Sequence, residues 1–486
     1  MSDMSVGSIV VRGAFLTTLC SIAVKFVTFI SQIALAWFLV PEDMGLVAIA
    51  TAISGMMSIL MAAGVRDVLV QQRLNFMSDA SAGFWLALAM NSCATCVAFA
   101  IAPFSGKLFG EPELTSLIMI MAVCWPITAF SSVYHASLYR ELRFGTVASI
   151  VLLQNCVYFI VAVTLASYDY GAYALILSNI PRVIIGVLAS RVCAGRIEIR
   201  KPDGCRIRAL IAPVFWLTLS SALASIHYYG TSMVLGIMNG VALTGLYYWG
   251  NQISSQAIQV LSQSLRNVFF PALTKIIDDE DRQYNSIRKS VKILMAFVAP
   301  ICVLQILLAE PLIKILFEPR WYPAIDVVKW LSVGLISQPL YVLLSALLLA
   351  RQSNMVMAAL TGCIGLIVSC LALAASYSND VTIIAMWIGV GMFFINISCG
   401  YVLFYVLGYG LKELLQSIIP ALVSVVVAGV AGYAVGVYAE PAGTVFHLFA
   451  MLIVALGVSV VMLIKLLPEE YIVISQYMQK LRIKSN

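Results

Sequence analysis

The sequence predicts an all-α polytopic membrane protein, and three observations support this. Of its 486 residues 62% are hydrophobic and only 11% are charged, whereas a soluble domain has about 25% charged residues. About fourteen apolar stretches, each long enough to cross a bilayer, follow one another. Basic residues fall almost entirely in alternate loops. The predicted spans are approximately 13–38, 46–65, 82–104, 115–137, 146–167, 171–191, 209–237, 243–265, 290–309, 327–349, 354–376, 381–407, 414–437 and 445–466.

Loop charge predicts the orientation of these spans. One set of loops and the C-terminal tail contain most of the Lys and Arg residues, from Arg66 onward. The opposite set contains only Lys107, Lys314, Arg320 and Lys329. Because basic loops stay on the cytoplasmic side, we expect the first set and both termini in the cytoplasm.

Two halves of the chain resemble each other at a fixed offset. Gly45 and Gly245 each begin a Gly-Leu dipeptide, and they are 200 residues apart. Arg66 and Arg266 end the helices that follow these dipeptides, and they are also 200 residues apart. An even number of predicted helices separates the copies, so the repeats run parallel, about an axis along the membrane normal. The alternative is a chance match between common residues.

The repeat predicts four regions in the chain. Two six-helix lobes are followed by an added helix pair, and a short cytoplasmic linker joins the lobes. The regions are an N-terminal lobe at 1–192, the linker at 193–208, a second lobe at 209–407, and helices 13 and 14 with a cytoplasmic tail at 408–486.

Composition points away from catalysis and from bound cofactors. Most of the eleven cysteines lie inside apolar segments, where they act as small hydrophobic residues. No nucleotide-binding GxxxxGK[ST] motif and no Ser/His/Asp set stands out. No stripe of basic and aromatic residues suggests a nucleic-acid partner. We therefore expect no enzyme, no catalytic residue, no metal and no cofactor.

Particular stretches are similar to a known family. Residues 11–72, with PEDMGLVAIAT as the most specific part, resemble the opening of bacterial oligosaccharide flippases of the polysaccharide transporter family. LYRELRF at 138–144, GAYALILSNIPR at 171–182, the segment 245–273 and LFEPRWYPA at 316–324 fit as well. The resemblance covers about the first two thirds of the chain. The family belongs to a larger group that includes multidrug exporters and lipid II flippases.

The resemblance implies both an architecture and a function. It implies two six-helix lobes around a central cavity. It implies that the protein flips a polyprenyl-pyrophosphate-linked oligosaccharide across the bacterial inner membrane by alternating access, for exopolysaccharide or lipopolysaccharide export. The substrate and membrane lipids are then its partners, and a polysaccharide polymerase and export machinery are candidate partners. The family often has an Asp where this chain has Thr231, which puts cation coupling through that position in doubt.

Lys25 is the first candidate for a substrate-binding residue. It lies thirteen residues beyond Arg12, which is about 20 Å along a helix and near mid-membrane. A charge at that depth costs at least ~2.5 kcal/mol and usually faces a cavity or a partner. We expect Lys25 to face the cavity and attract the pyrophosphate. The alternative is a Lys that snorkels or pairs with a carboxylate.

Three arginines are further candidates for binding the pyrophosphate. Arg66 and Arg266 occupy equivalent positions, and a symmetric pair of guanidiniums can clamp a diphosphate. They can equally be arginines that only set orientation. Arg182 follows Pro181, which can bend the sixth span, and is a weaker candidate for the cavity.

Polar residues also mark the seventh and eighth spans. Gln252, Gln256, Gln259 and Gln263 are spaced by four, three and four, so they share one helical face. That stripe indicates a water-lined cavity wall, or amides that tie helices together. His227 can titrate in a transport cycle, although a lone His in an apolar bundle is more often a packing residue. Trp321 and Tyr322 are expected at headgroup level.

Other functional classes stay open at this point. A multidrug exporter of the same superfamily would more naturally use acidic residues inside the membrane. A membrane-embedded polysaccharide polymerase or ligase needs a reactive cluster at the outer face, where the loops are short. A structural scaffold leaves Lys25 and the polar stripe without a role.

Overall fold

The computed structural model describes residues 6–61, 64–71, 76–195, 197–201, 204–275, 279–439 and 444–466. Within these ranges the regular structure is helical, with no strand. In the described residues eleven helices are long and apolar enough to cross a membrane, or up to twelve if one bent pair counts as a span. The fourteen predicted spans are compatible with these helices. The chain is therefore a multi-pass α-helical membrane protein, as predicted.

The first ten helices run from the N-terminus to Lys275. They are α1 Val6–Phe38, α2 Pro41–Met56, α3 Val65–Gln71, α4 Phe76–Leu108, α5 Glu113–Val123, α6 Trp125–Arg140, α7 Phe144–Ser167, α8 Ala172–Leu177, α9 Asn179–Ala194 and α10 Gly204–Lys275. Helix α10 is broken at Gly240, where φ is +79° and ψ is −178°. Glycine adopts this backbone without steric cost. The seventh and eighth predicted spans lie on either side of this break, so α10 contains both of them.

Seven more α-helices follow in the part of the chain that the structure describes. They are α11 Glu280–Leu316, α12 Ala324–Ile336, α13 Gln338–Ala350, α14 Asn354–Ser376, α15 Val381–Tyr405, α16 Leu411–Ala439 and α17 Thr444–Leu466. The predicted cytoplasmic tail after residue 466 lies outside the described residues.

Proline divides several predicted spans into two helices. Pro126 lies at the start of α6, Pro181 near the start of α9 and Pro339 near the start of α13. Proline has no N–H to donate, so the helical hydrogen bonding is interrupted there. The axis bends by 47° between α12 and α13. At the start of α6, the Asn91 amide donates to the Trp125 carbonyl at 3.1 Å.

The second span ends earlier than predicted. A span was expected over approximately 46–65, but α2 stops at Met56 and a single 3₁₀ turn, Met57–Ile59, follows. Arg66 therefore belongs to the separate short helix α3. Arg66 still lies near the end of the second predicted span, but on α3 and not on α2.

The chain divides into two compact units. The first is Met1–Tyr248 with Ala358–Tyr377, and the second is Trp249–Met357 with Ser378–Asn486. The predicted boundaries at 192, 209 and 407 remain a prediction. In the second unit Trp249 packs against Trp321 and Phe317, with ring centroids 4.7 and 4.8 Å apart. Trp321 is fully buried, so protein surrounds its ring rather than lipid headgroups.

Candidate functional site

Lys25 lies at the middle of a membrane-spanning helix. The apolar part of α1 is Leu16–Phe38, so Lys25 is about 14 Å from its start and about 20 Å from its end at 1.5 Å per residue. The residue is partly buried. A cation at this depth is unfavourable in hydrocarbon by at least ~2.5 kcal/mol. Its surroundings on α1 therefore decide how the fold tolerates it.

Lys25 belongs to a polar face of α1 that was not among the predicted features of the sequence. Thr17, Ser21, Lys25, Thr28 and Gln32 are spaced by four, four, three and four, which aligns them along one side of a helix. The same spacing rule that picked out Gln252–Gln263 would have found this face. Two of its hydroxyls, on Ser21 and Thr28, donate to carbonyls one turn earlier at 2.8 Å. The face is therefore polar without breaking the helix.

Arg182 also lies at the middle of its span. The span Ala172–Ala194 contains α8 and α9, and Arg182 is about 15 Å from its Ala172 end. It directly follows Pro181, which cannot donate a backbone hydrogen bond. This weaker candidate thus lies near the middle of its own span, as Lys25 does. Helix α7 packs against both α1 and α9, so one helix is a neighbour of the two that carry these cations.

The guanidinium of Arg182 is held by neutral groups. It lies 5.5 Å from the centre of the Tyr158 ring, a cation–π distance. One of its nitrogens is 3.5 Å from the side-chain oxygen of Asn179. Among the residues that the structure describes, no carboxylate oxygen lies within 4 Å of Arg182. Its positive charge is therefore not neutralised by an ion pair in this part of the chain.

A small hydrogen-bond network fixes Tyr158 beneath Arg182. Tyr158 shares a side-chain hydrogen bond with Ser178, whose hydroxyl donates to the Leu175 carbonyl at 2.8 Å. The Asn179 amide donates to the same carbonyl at 3.0 Å. The break between α8 and α9 is thus braced by the residues that surround Arg182.

Arg66 has a different environment. Its Nε donates to Asp67 at 2.9 Å, and the two side chains are 43% and 48% exposed. The Tyr139 ring lies 5.7 Å away. Arg66 therefore has both a carboxylate and an aromatic neighbour at the end of its span. The side chain of Arg266 lies outside the described residues, so the proposed pair of arginines stays a prediction.

The predicted glutamine stripe lies in the second unit. Gln252 is partly buried, Gln256 is buried, and Gln259 is exposed. The Gln259 amide donates to the Ser255 hydroxyl at 3.1 Å. The side chain of Gln263 lies outside the described residues. The three described amides thus differ in burial, and their role as a cavity wall remains a prediction.

Two further positions of interest are tightly packed. His227 is partly buried, and its backbone nitrogen is 2.5 Å from where a Cβ on Gly365 would lie, so α10 and α14 are in backbone contact there. Thr231, which stands where the family often has Asp, hydrogen-bonds Tyr247, and both are buried. In the described residues no group of three or more His, Cys, Asp or Glu side chains is arranged to hold a metal.

Comparison with known proteins agrees with this architecture. A profile of the family described as "Polysaccharide biosynthesis protein" matches residues 34–326, more than half of the chain. The chain belongs to this family. It is 25% identical over 312 residues to the succinoglycan biosynthesis transport protein ExoT of Rhizobium meliloti, covering 64% of this chain and 62% of that protein. It is 20% identical over 334 residues to the lipopolysaccharide biosynthesis protein WzxC of Escherichia coli, covering 68% of each.

Solved structures show the same fold. The lipid II flippase MurJ in an inward closed conformation superposes with a TM-score of 0.74 at 13% identity, covering 94% of this chain and 99% of that one. An inward-facing multidrug transporter of the MATE family gives 0.57 at 15% identity, covering 84% and 96%. At these identities the likeness establishes the fold alone. The chain spans about two thirds of the length of the curated relatives named above.

Proposed function

We propose that this protein flips a polyprenyl-pyrophosphate-linked oligosaccharide across the bacterial inner membrane by alternating access. The observation that best supports the proposal is Arg182, a mid-membrane guanidinium held by an aromatic ring and an amide. No carboxylate of the described residues neutralises it within 4 Å. A fold that keeps such a cation in a membrane span is suited to receive an anion there. The family and its transport relatives point to the same class of protein.

The chemistry of the substrate matches the side chains at mid-depth. A pyrophosphate is anionic, and Arg offers a planar fork of donors that binds phosphate oxygens in pairs. Lys25 adds a second cation near the middle of its own span. The hydroxyls on the polar face of α1 suit a sugar headgroup, which is rich in hydroxyls of its own. The polyprenyl chain is apolar and stays in the acyl region of the bilayer.

The proposal includes an orientation and partners. We place both termini and the Arg-rich loops in the cytoplasm because basic loops are retained there. Lipid-linked intermediates are then taken up from the inner leaflet and released at the outer one. A polysaccharide polymerase and the export machinery would receive the released unit. A transporter of this type needs no catalytic residue, and an ion gradient or the membrane potential is the energy source that we propose.

Loss of the gene tests this function directly. We expect a deletion strain to stop making surface polysaccharide and to accumulate its lipid-linked intermediate on the inner leaflet. Reconstituted protein should move the extracted intermediate across a vesicle membrane. Normal surface polysaccharide in the deletion strain would overturn the proposal. So would export of organic cations by the vesicles without movement of the lipid, which is the result expected of a multidrug exporter.

Lys25 gives a more specific test of the same function. We expect Lys25→Ala to lower the transport rate about tenfold, since loss of a charge-assisted hydrogen bond costs about 1.5–3 kcal/mol. The matched control is Lys107→Ala, which removes a Lys from the last turn of α4 and should transport normally. The rate is measured in vesicles at equal protein abundance. Undiminished transport by the Lys25 variant would remove Lys25 from the site.

A further inference from the structure

Residues 41–64, which include α2 and the 3₁₀ turn after it, pack against residues 217–245 of α10, inside the first unit. The contacts run in opposite chain directions, so residue numbers rise on one helix as they fall on the other. From one end of the seam to the other, the pairs are Pro41 with Gly245, Gly45 with Val241, Ile49 with Gly236, Gly55 with Tyr229, Ser58 with Ser225, and Gly64 with Leu217. We call this contact the α2–α10 seam.

One end of the seam is a contact between two backbones. A Cβ on Gly45 would overlap the carbonyl oxygen of Val241, and a Cβ on Gly245 would overlap the carbonyl oxygen of Pro41. The Gly245 Cβ would also lie 2.8 Å from the Gly45 nitrogen. Real Cβ atoms do not come this close, so any side chain at either glycine must push the helices apart. These two positions therefore have to be glycine for the seam to close.

The contact is reciprocal under the sequence repeat. Pro41 and Val241 are 200 residues apart, and so are Gly45 and Gly245. Position 45 of the first copy touches the equivalent of position 41 in the second, and the reverse also holds. Self-complementary contacts of this kind lie on a two-fold axis. The structure thus supports a true repeat, with its axis passing through this end of the seam.

The two ends of the seam differ in how much they can yield. At Gly45 and Gly245 the opposing atoms are backbone carbonyls, which cannot rotate aside. Further along, a Cβ on Gly55 would meet the Tyr229 ring, and one on Gly64 would lie 2.7 Å from the Leu217 Cβ. A tyrosine ring can swing to another rotamer. The Leu217 Cβ cannot move without its backbone, but its contact is less close than the overlap with backbone carbonyls at Gly45 and Gly245. The Gly45–Gly245 end is therefore the tightest part of the seam.

We propose that the Gly45–Gly245 contact is the outer seal of the transport pathway, which holds it shut while substrate enters from the cytoplasm and parts for release. This inference rests on the proposed function and on its orientation, because residues 41–45 precede a span that ends near the basic loop at Arg66. The seal is made by main chain alone. Its strength is therefore set by how closely two glycines approach and not by any charge or side-chain fit.

A buried reporter beside the seal tests this inference. Thr244 is fully buried, and its hydroxyl donates to the Gly240 carbonyl at 2.7 Å, so Thr244→Cys is a small change. Intact cells are treated with a membrane-impermeant maleimide. Labelling at residue 244 is read by peptide mass spectrometry, since the chain has eleven cysteines of its own. We expect slow labelling of this reporter compared with Tyr168→Cys, a side chain that is 72% exposed.

Wedging the seal should expose the reporter. Adding Gly45→Ala or Gly245→Ala is expected to raise the labelling rate at least about tenfold and to slow transport by a similar factor. The matched control is Gly457→Ala, a helix glycine with nothing within 4 Å of its Cβ position, which should change neither. Variants are compared at equal abundance in the membrane.

Several results would overturn the seal. One is fast labelling of the Thr244→Cys reporter in the chain with both glycines intact. This measurement does not need the alanine variants, so it can be made even if they fail to accumulate. Another is unchanged labelling in well-folded alanine variants. A third is labelling that requires permeabilised cells, which would put the contact on the cytoplasmic side. Labelling needs no substrate, so the labelling result and the transport result are independent. The seal can therefore be disproved while the flippase assignment stands, and the flippase assignment can be disproved while the seal stands.

Discussion

Two regions of the molecule hold basic side chains inside or beside the membrane in different ways. In the second unit Glu310 accepts hydrogen bonds from Lys314 at 2.8 Å and from Lys329 at 3.0 Å, with Asp326 4.0 Å from Lys329. In the first unit Arg182 has an aromatic ring and an amide oxygen instead. The lysines of the Glu310 cluster are therefore neutralised by carboxylates of the fold. Arg182 has no such carboxylate among the described residues.

The difference separates structural cations from candidate binding cations. A lysine paired with carboxylates already has its counter-charge and gains little from an anionic ligand. A guanidinium held by neutral groups is oriented but not neutralised, so an incoming phosphate can supply the missing charge. Arg66 belongs with the structural group by this criterion, because it is bonded to Asp67. The comparison therefore ranks Arg182 above Arg66 as a site residue.

Replacing Arg182 should produce the largest effect. We expect Arg182→Gln to slow transport about 10- to 100-fold, because charge-assisted hydrogen bonds to phosphate contribute about 1.5–3 kcal/mol. Arg182→Lys should recover part of the rate, since the charge returns without the planar fork. The measurement is outward movement of the lipid-linked intermediate in vesicles.

Arg191 is the matched control for this test. It lies in the last turn of α9 and is exposed, so Arg191→Gln removes the same group from the same helix. We expect normal transport from this variant. Equal rates for the two glutamine variants would contradict the idea that mid-membrane position gives Arg182 its role.

Replacing the tyrosine beneath each arginine should have a smaller effect and sharpens the comparison. Tyr158 lies 5.5 Å from Arg182, and Tyr139 lies 5.7 Å from Arg66. A cation–π contact contributes about 0.5–2 kcal/mol, with more where water is excluded. We expect Tyr158→Leu to slow transport about threefold to tenfold and Tyr139→Leu to slow it less than twofold, in the same vesicle assay. The reverse order would show that Arg66 depends on its aromatic neighbour for function.

Much of the fold was predictable because it follows from hydrophobicity. The predicted spans fall largely on helical residues of the described chain, and the break between the seventh and eighth falls at Gly240. The end of α2 at Met56 was not predicted, because no proline or charge marks it in the sequence. Trp321 was expected at headgroup level, but its partner Trp249 lies 72 positions earlier in the chain. Local composition cannot reveal such a long-range contact.

The candidate site was predictable only in part. Charges stand out in apolar helices, so Lys25 and Arg182 were found from the sequence alone. Tyr158 could not be found, because it becomes a neighbour of Arg182 only when α7 packs against the broken sixth span. Asn179 lies three residues before Arg182, so that contact could have been found from helical spacing. The repeat was visible as an offset of 200 residues. Its physical meaning, two glycines packed backbone to backbone, required the structure.

The smallest expected effect on transport comes from the ion-paired cluster of the second unit. Glu310→Gln leaves Lys314 and Lys329 without the carboxylate that they share. Exposed pairs of this kind contribute about 0.2–1 kcal/mol each, and all three side chains are 30–50% exposed. We expect a slightly lower thermal midpoint in detergent and a transport rate within twofold of the unmodified protein. Raising the salt concentration should shrink the difference in midpoint, because ions screen these charges. A Glu310→Gln protein of normal abundance that no longer transports would contradict the comparison, since the paired cluster would then have a functional role as well.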